Sequence, residues 1–177
     1  LHNPRLKHSD RDAFIAANGQ DLERPHYFLE MERVNLSGPL LLRTLPLPEP
    51  LTAEDFAERA RHGVVIDTRS ELAYGAAHVP GSISIWQEGL PSFAGWFIPY
   101  GVPICLVTEG EDPTAEIRFL VRTGYDRIEG HLAGGMLAWH MAGLESSSNR
   151  MIPVQALCSE LDKGNGQWIL DVRSEDE

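Results

Sequence analysis

From Leu51 onwards the chain switches between two hydrophobic rhythms. Ala53, Phe56, Ala57 and Ala60 recur at i, i+3, i+4 and i+7, the spacing of one buried helix face. Thr52, with Asp55 three residues on, makes a capping-box start, and His62-Gly63 stops the helix. VVID (Val64–Asp67) is then a short, β-branched, continuously apolar run, the pattern of a parallel strand covered on both faces. ISI (Ile83–Ile85) and PICLV (Pro103–Val107) repeat it, and DRIE (Asp126–Glu129) is a briefer strand. Between the first two of these, GLPSFAGWFIPYG (Gly89–Gly101) is aromatic and rich in Gly and Pro, without a clear period. Asp112 and Pro113 stand at the N-cap and first position of another helix, with Ile117, Leu120 and Val121 on its apolar face and Gly124 at its end. LAGGMLAWHMAGL (Leu132–Leu144) predicts a Gly-Gly entry, a short helix and a Gly stop. Strands alternating with helices predict an α/β fold with a parallel sheet.

The flanks read differently. Residues 1–45 are a polar lead-in, with a short helix capped by Ser9, supported by Asp12 and carrying Phe14, Ile15 and Ala17. Asn18-Gly19 ends that helix, and Arg24-Pro25 is expected to start an extended stretch. LPLPEP (Leu45–Pro50) has three prolines in six residues, so it is a linker or a strand-edge approach and marks a domain boundary. After a polar linker, ESSSNR (Glu145–Arg150), the pattern restarts: IPVQALCSELDKGNGQWILDVRSE (Ile152–Glu175) repeats LTAEDFAERARHGVVIDTRSE (Leu51–Glu71). Asp67 and Asp171 lie 104 residues apart, about one small domain. The expected organisation is therefore a lead-in over 1–45, a complete module over 46–146 and the start of a second copy over 150–177. The chain opens without Met and closes soon after the second Asp-Val-Arg, so a segment of a longer protein is expected.

Composition narrows the partners. A net charge of −11 and a pI near 5.0, with scattered basic residues, argue against nucleic acid or an anionic membrane. No apolar run has the length of a membrane span and the N-terminus has no signal-like core, so a cytoplasmic setting is expected. Two cysteines, Cys105 and Cys158, are too few for a disulfide scaffold. The seven histidines show no metal-ligand spacing, so no metal site is expected within the chain. Cys158 shares a helix face with Val154, Leu157 and Leu161 and reads as core.

Several spaced motifs, taken in order, carry a family resemblance. VVIDTRSELAYGAAHVPGSISI resembles the first signature of the rhodanese-like sulfurtransferase domain, with Asp67 and Arg69 in its Asp-x-Arg and His78 and Gly81 in its His-Val-Pro-Gly turn. GHLAGGMLAWHMAGL is similar to the family's closing motif, with Gly134, Gly135 and Trp139. The resemblance spans about Leu51–Leu144 and implies a five-stranded parallel sheet flanked by helices. It also implies a catalytic Cys at the end of the fourth strand, whose loop and helix cradle an anionic persulfide. Aligned on Gly110, this chain has Val107 at the Cys position and Asp112 where Arg is frequent. The degenerate loop Val107, Thr108, Glu109, Gly110, Glu111, Asp112 carries three acids where the chemistry needs positive potential. Cys105 reads as a buried small hydrophobe, and Thr108 has no neighbouring base in sequence to activate it. No catalytic residue is therefore assigned.

RPHYFLEMERVNLSGP (Arg24–Pro39) resembles the tail of a metallo-β-lactamase-fold hydrolase of the persulfide dioxygenase type that precedes fused rhodanese modules. SFAGWFIPYGVPICLV is similar to the first, Cys-less rhodanese of such fusions. The resemblance implies a non-catalytic module in a protein of sulfane-sulfur metabolism, with Zn or Fe in an upstream hydrolase domain and no cofactor in this segment. Its partners would be the adjacent hydrolase and second rhodanese domains. Two alternatives stay open: an active sulfurtransferase whose Cys lies in the second repeat, and an interaction or homodimerisation module. Trp86, Phe93, Trp96, Phe97 and Tyr100 serve equally as a partner surface or as a lid over the core. Asp67 and Arg69 read as an internal ion pair before an anion site, and His78 as a hydrogen-bonded turn histidine.

Overall fold

The computed structural model describes residues 7, 10–19, 24–39, 41–164 and 168–172. Five strands form one sheet in the order β1-β5-β4-β2-β3, every neighbouring pair parallel. They are β1 (Pro50–Leu51), β2 (Val64–Asp67), β3 (Ile83–Ser84), β4 (Ile104–Val107) and β5 (Ile128–Leu132). The connecting helices are α3 (Ala53–Ala60), α4 (Glu71–Ala76), α5 (Leu90–Phe97), α6 (Thr114–Arg122) and α7 (Gly135–Met141). This is the α/β architecture, a five-stranded parallel sheet flanked by helices, that the alternation of patterns predicts. Asp67 pairs with Val107 across β2 and β4, so the two strands end at the same level.

Alternation along β2 and β4, with a register shift where β4 meets β5, divides the core. Ile66, Ile104, Leu106 and Ile128 face Leu90 and Ala94 of α5, Ile98 just after it, and Ile117 and Leu120 of α6. Val65, Cys105, Val107 and Leu132 face Ala53 and Phe56 of α3 and Met136 and Trp139 of α7. Thr52 caps α3, its hydroxyl oxygen accepting from Asp55 N at 3.2 Å. Proline explains the shortness and place of β1. Without an N–H it cannot serve a central ladder, and Pro50 lies on the sheet's edge beside His131.

Several expectations are corrected. The α1 helix (Arg11–Asn18) is capped by Asp10, whose carboxylate accepts from Ala13 N at 2.8 Å; Ser9 lies outside the described residues. Arg24-Pro25 does not start an extended stretch, because Pro25 stands at the N-cap of α2 (His26–Ser37), where its missing N–H leaves no helical bond unmade. The α2 helix packs on α5, with Tyr27 against Gly95 so closely that a Cβ there would lie 2.4 Å from Tyr27 Cβ. The aromatic segment without a period contains α5, whose buried Leu90 and Ala94, with Ile98 at its C-cap, recur every four residues beneath exposed Phe93, Trp96 and Phe97.

The second copy also departs from expectation. Its helix forms as α8 (Val154–Asp162) but buries no residue, so Cys158 is exposed rather than core. Trp168–Val172, expected as a strand, forms none and is exposed. A buried parallel strand needs paired strands on both sides, and among the described residues this segment joins no sheet. Gln167 and the Arg-Ser-Glu that follows Val172 lie outside the described residues.

Candidate functional site

In an open parallel sheet, ligands sit beyond the carboxyl ends of the strands where the strand order reverses. Here that point falls between β2 and β4, and a cleft of about 750 Å³ opens there. Thr68, Arg69, Ser70 and Glu71 line it after β2; Trp86, Gln87 and Glu88 after β3; Glu109 after β4; and Glu116 from the first turn of α6.

Val107 ends β4 and is fully buried, on the sheet face covered by α3 and α7. Its carbonyl accepts from Thr68 N at 2.8 Å and Thr68 Oγ1 at 3.1 Å, tying the ends of β2 and β4 together. Thr108 is buried and its hydroxyl donates to the Gly110 carbonyl at 2.5 Å. Of the three loop acids only Glu109 reaches the cleft. Glu111 accepts from Gly134 N at 3.5 Å, and Asp112 accepts from Thr114 N at 3.0 Å, steadying the start of α6. The Thr114 hydroxyl and N–H hold the Asp112 carboxyl below its usual range, with a smaller contribution from His131.

Asp67 and Arg69 form a closed unit at the end of β2. Arg69 Nε and Nη2 donate to the two Asp67 oxygens at 2.9 and 2.6 Å, and Nη2 also donates to the Ala77 carbonyl at 2.7 Å. His78 stacks on Tyr74 at 3.9 Å, its Nδ1 lies 2.8 Å from the Tyr74 carbonyl, and its backbone bridges to Ser147. Gly81 at φ +78° and Gly134 and Gly135 at +70° and +54° occupy the left-handed region, which excludes most side chains. Trp139 packs edge-on against Phe56 at 6.1 Å and donates from its indole N–H to the Glu145 carbonyl at 2.9 Å.

Cys105 does not line this cleft. It is fully buried within β4, two residues before the strand end, and faces α3. Burial, and after it the charge of Glu129, pushes its thiol up to about 11. Thiolate is the reactive form, so a water-soluble thiol reagent at about pH 8 is expected to label exposed Cys158 quickly and Cys105 only after denaturation. Rapid labelling of both thiols in the native chain would contradict this burial.

Glu116, Gln87 and Thr68 on the cleft floor escaped the sequence reading. A signal existed for one of them: Glu116 falls within the buried stripe of α6 beside Ile117 and Leu120, an acid where the period demands an apolar residue. Among the described residues no group of three His, Cys, Asp or Glu side chains is placed to hold a metal, and no helix is long and apolar enough to cross a membrane.

A family model for the rhodanese-like domain matches residues 52–142. No curated protein matches the chain. Among solved structures, a metallo-beta-lactamase from Staphylococcus aureus is 25% identical at a TM-score of 0.57, over 71% of this chain and 34% of that one. The chain thus spans about a third of that protein. A Bacillus halodurans protein is 15% identical at a TM-score of 0.50, over 74% of this chain and 98% of its own. A thiosulfate sulfurtransferase from Pseudomonas aeruginosa is 21% identical at 0.49, over 71% of this chain and 22% of its own. The family match covers the first motif, the closing motif as far as Ala142, all but the first of the five strands and the cleft between them, so the chain belongs to the rhodanese-like domain family.

Proposed function

We propose that this chain is a non-catalytic rhodanese-like module that positions its neighbours in a metallo-β-lactamase-fold/rhodanese fusion concerned with sulfane sulfur. One observation carries the reading: Val107, a side chain without nucleophilic chemistry, is the last residue of β4 and is fully buried. The cleft walls support it, since four carboxylates there oppose a thiosulfate or persulfide anion. The likeness to the Staphylococcus aureus metallo-beta-lactamase, over 71% of this chain and 34% of that one, is compatible with such a fusion. In that arrangement residues 1–45 close an upstream hydrolase of the persulfide dioxygenase type, residues 46–146 are the spacer, and residues 150–177 begin a second rhodanese. Zn or Fe belongs to the upstream domain.

Deleting residues 46–146 from the parent protein tests the positioning role. Loss of the upstream activity, with the upstream domain still folded, is expected; full retention would sink the proposal. An interaction role is the second reading, favoured by the exposed Phe93, Trp96 and Phe97 on the outer face of α5. Sedimentation that depends on concentration would support it as a homodimer contact.

A further inference from the structure

The cleft holds a carboxylate that the protein itself leaves half satisfied. Glu116 is 3% exposed; its Oε1 accepts from Gln87 Nε2 at 2.9 Å and lies 3.4 Å from Thr68 Oγ1, whose one hydrogen also serves the Val107 carbonyl at 3.1 Å. Its Oε2 is equally buried and accepts nothing from the described residues. An acceptor left alone at such depth is destabilising, and more so when charged, so the fold retains an oxygen that calls for a donor.

The remaining walls specify the sign of that donor. Glu71, Glu88 and Glu109 line the same cleft and are exposed. Arg69 is the cleft's one cationic wall residue, and its Nε and Nη2 are already engaged by Asp67 and the Ala77 carbonyl. The field between the walls is therefore negative, and an anion entering it meets repulsion. Trp86, 49% exposed, stands at the same cleft with its ring 5.2 Å from Phe93, a platform suited to a flat cation.

We infer that this cleft binds a guanidinium group, donating to Glu116 Oε2 and to the neighbouring carboxylates while lying against the Trp86 indole. A guanidinium is preferred to an ammonium because it is planar, weakly hydrated and carries its donors in a fork, which suits a buried carboxylate beside an aromatic ring. About 750 Å³ leaves room for the chain that bears the group. That chain is either a small free molecule or an arginine side chain of a polypeptide, and both present the same contact. The inference rests on the non-catalytic reading of this strand end, because an anion-handling site would not be walled with acids.

Calorimetric titration of the whole 177-residue chain at low salt tests it. The probes are N-acetyl-arginine amide, the capped peptide Gly-Gly-Arg-Gly-Gly, and N-acetyl-citrulline amide as the uncharged isostere. Saturable binding of both arginine compounds but not citrulline is expected, weakened about tenfold by Glu116→Gln and several-fold by Trp86→Ala. Tighter binding of the peptide would assign a polypeptide source, and equal binding a free molecule. If Glu116→Gln fails to fold, the exposed pair Glu88→Gln and Glu109→Gln makes the same comparison. No saturable binding of either arginine compound, equal binding of citrulline, or binding indifferent to these substitutions overturns the inference. Sulfur captured by the protein from thiosulfate would instead overturn the non-catalytic reading, so the two failures are separable.

Discussion

Asp67→Ala is expected to cost about 3–5 kcal/mol of unfolding free energy, the usual penalty for removing one partner of a buried ion pair. Asp67 is fully buried and the Arg69 side chain only 11% exposed, so neither charge has much access to water once its partner is lost. The carboxylate also accepts from Arg69 N at 3.1 Å, so it pins the backbone that leaves β2 as well as the guanidinium. Asp67→Asn keeps an oxygen for that N–H but leaves Arg69 uncompensated, and is expected to fall between wild type and alanine. Chemical denaturation checks the series. A loss below about 1 kcal/mol for alanine, the size seen for exposed pairs, would place the ion pair in solvent and contradict the geometry.

Phe56→Ala is expected to cost about 3–5 kcal/mol, because truncating a fully buried aromatic removes its transfer free energy and leaves a cavity. Phe56 is the deepest side chain of α3 and meets Trp139 edge to face, so it joins the first helix of the domain to the last. Phe93→Ala is the control. That ring is 39% exposed on the outer face of α5, and its loss is expected to change stability by less than about 0.5 kcal/mol. Denaturation midpoints of the two variants should therefore separate widely, and equal losses would contradict the assignment of the two faces.

The elements that read well from the sequence are those whose local pattern and tertiary burial agree. VVID and PICLV are buried on both faces, so burial writes a continuous apolar run that no helix of that length would show. Thr52 and Gly124 mark helix ends by chemistry that acts within a few residues: a side-chain cap, and a glycine at φ +86°. The α5 helix was illegible because its buried stripe includes the small residues Ala94 and Gly95, the second of which lets Tyr27 of α2 approach, while its large aromatics face outward. The strand expected near Trp168 failed for the opposite reason. Its local pattern suits a strand, but among the described residues it joins no sheet.

The loop after β4 could be located from Gly110 and the flanking strand and helix, but the cleft could not. Its floor brings Thr68, Gln87 and Glu116 together from segments that are 19 and 29 residues apart along the chain. No spacing rule joins such residues; only the strand order, which sets the ends of β2, β3 and β4 around one crevice, does so.

On the proposed function, this strand end does not carry sulfur. That claim is tested most directly by incubating the chain with thiosulfate, and separately with glutathione persulfide, then taking a non-reducing intact mass with peptide mapping. The account predicts no sulfur added after thiosulfate, no sulfur on Cys105 with either donor, and both thiols recovered free after mild reduction. One sulfur on Cys105 in the native chain would contradict it, and would make the β4 loop a working sulfurtransferase site.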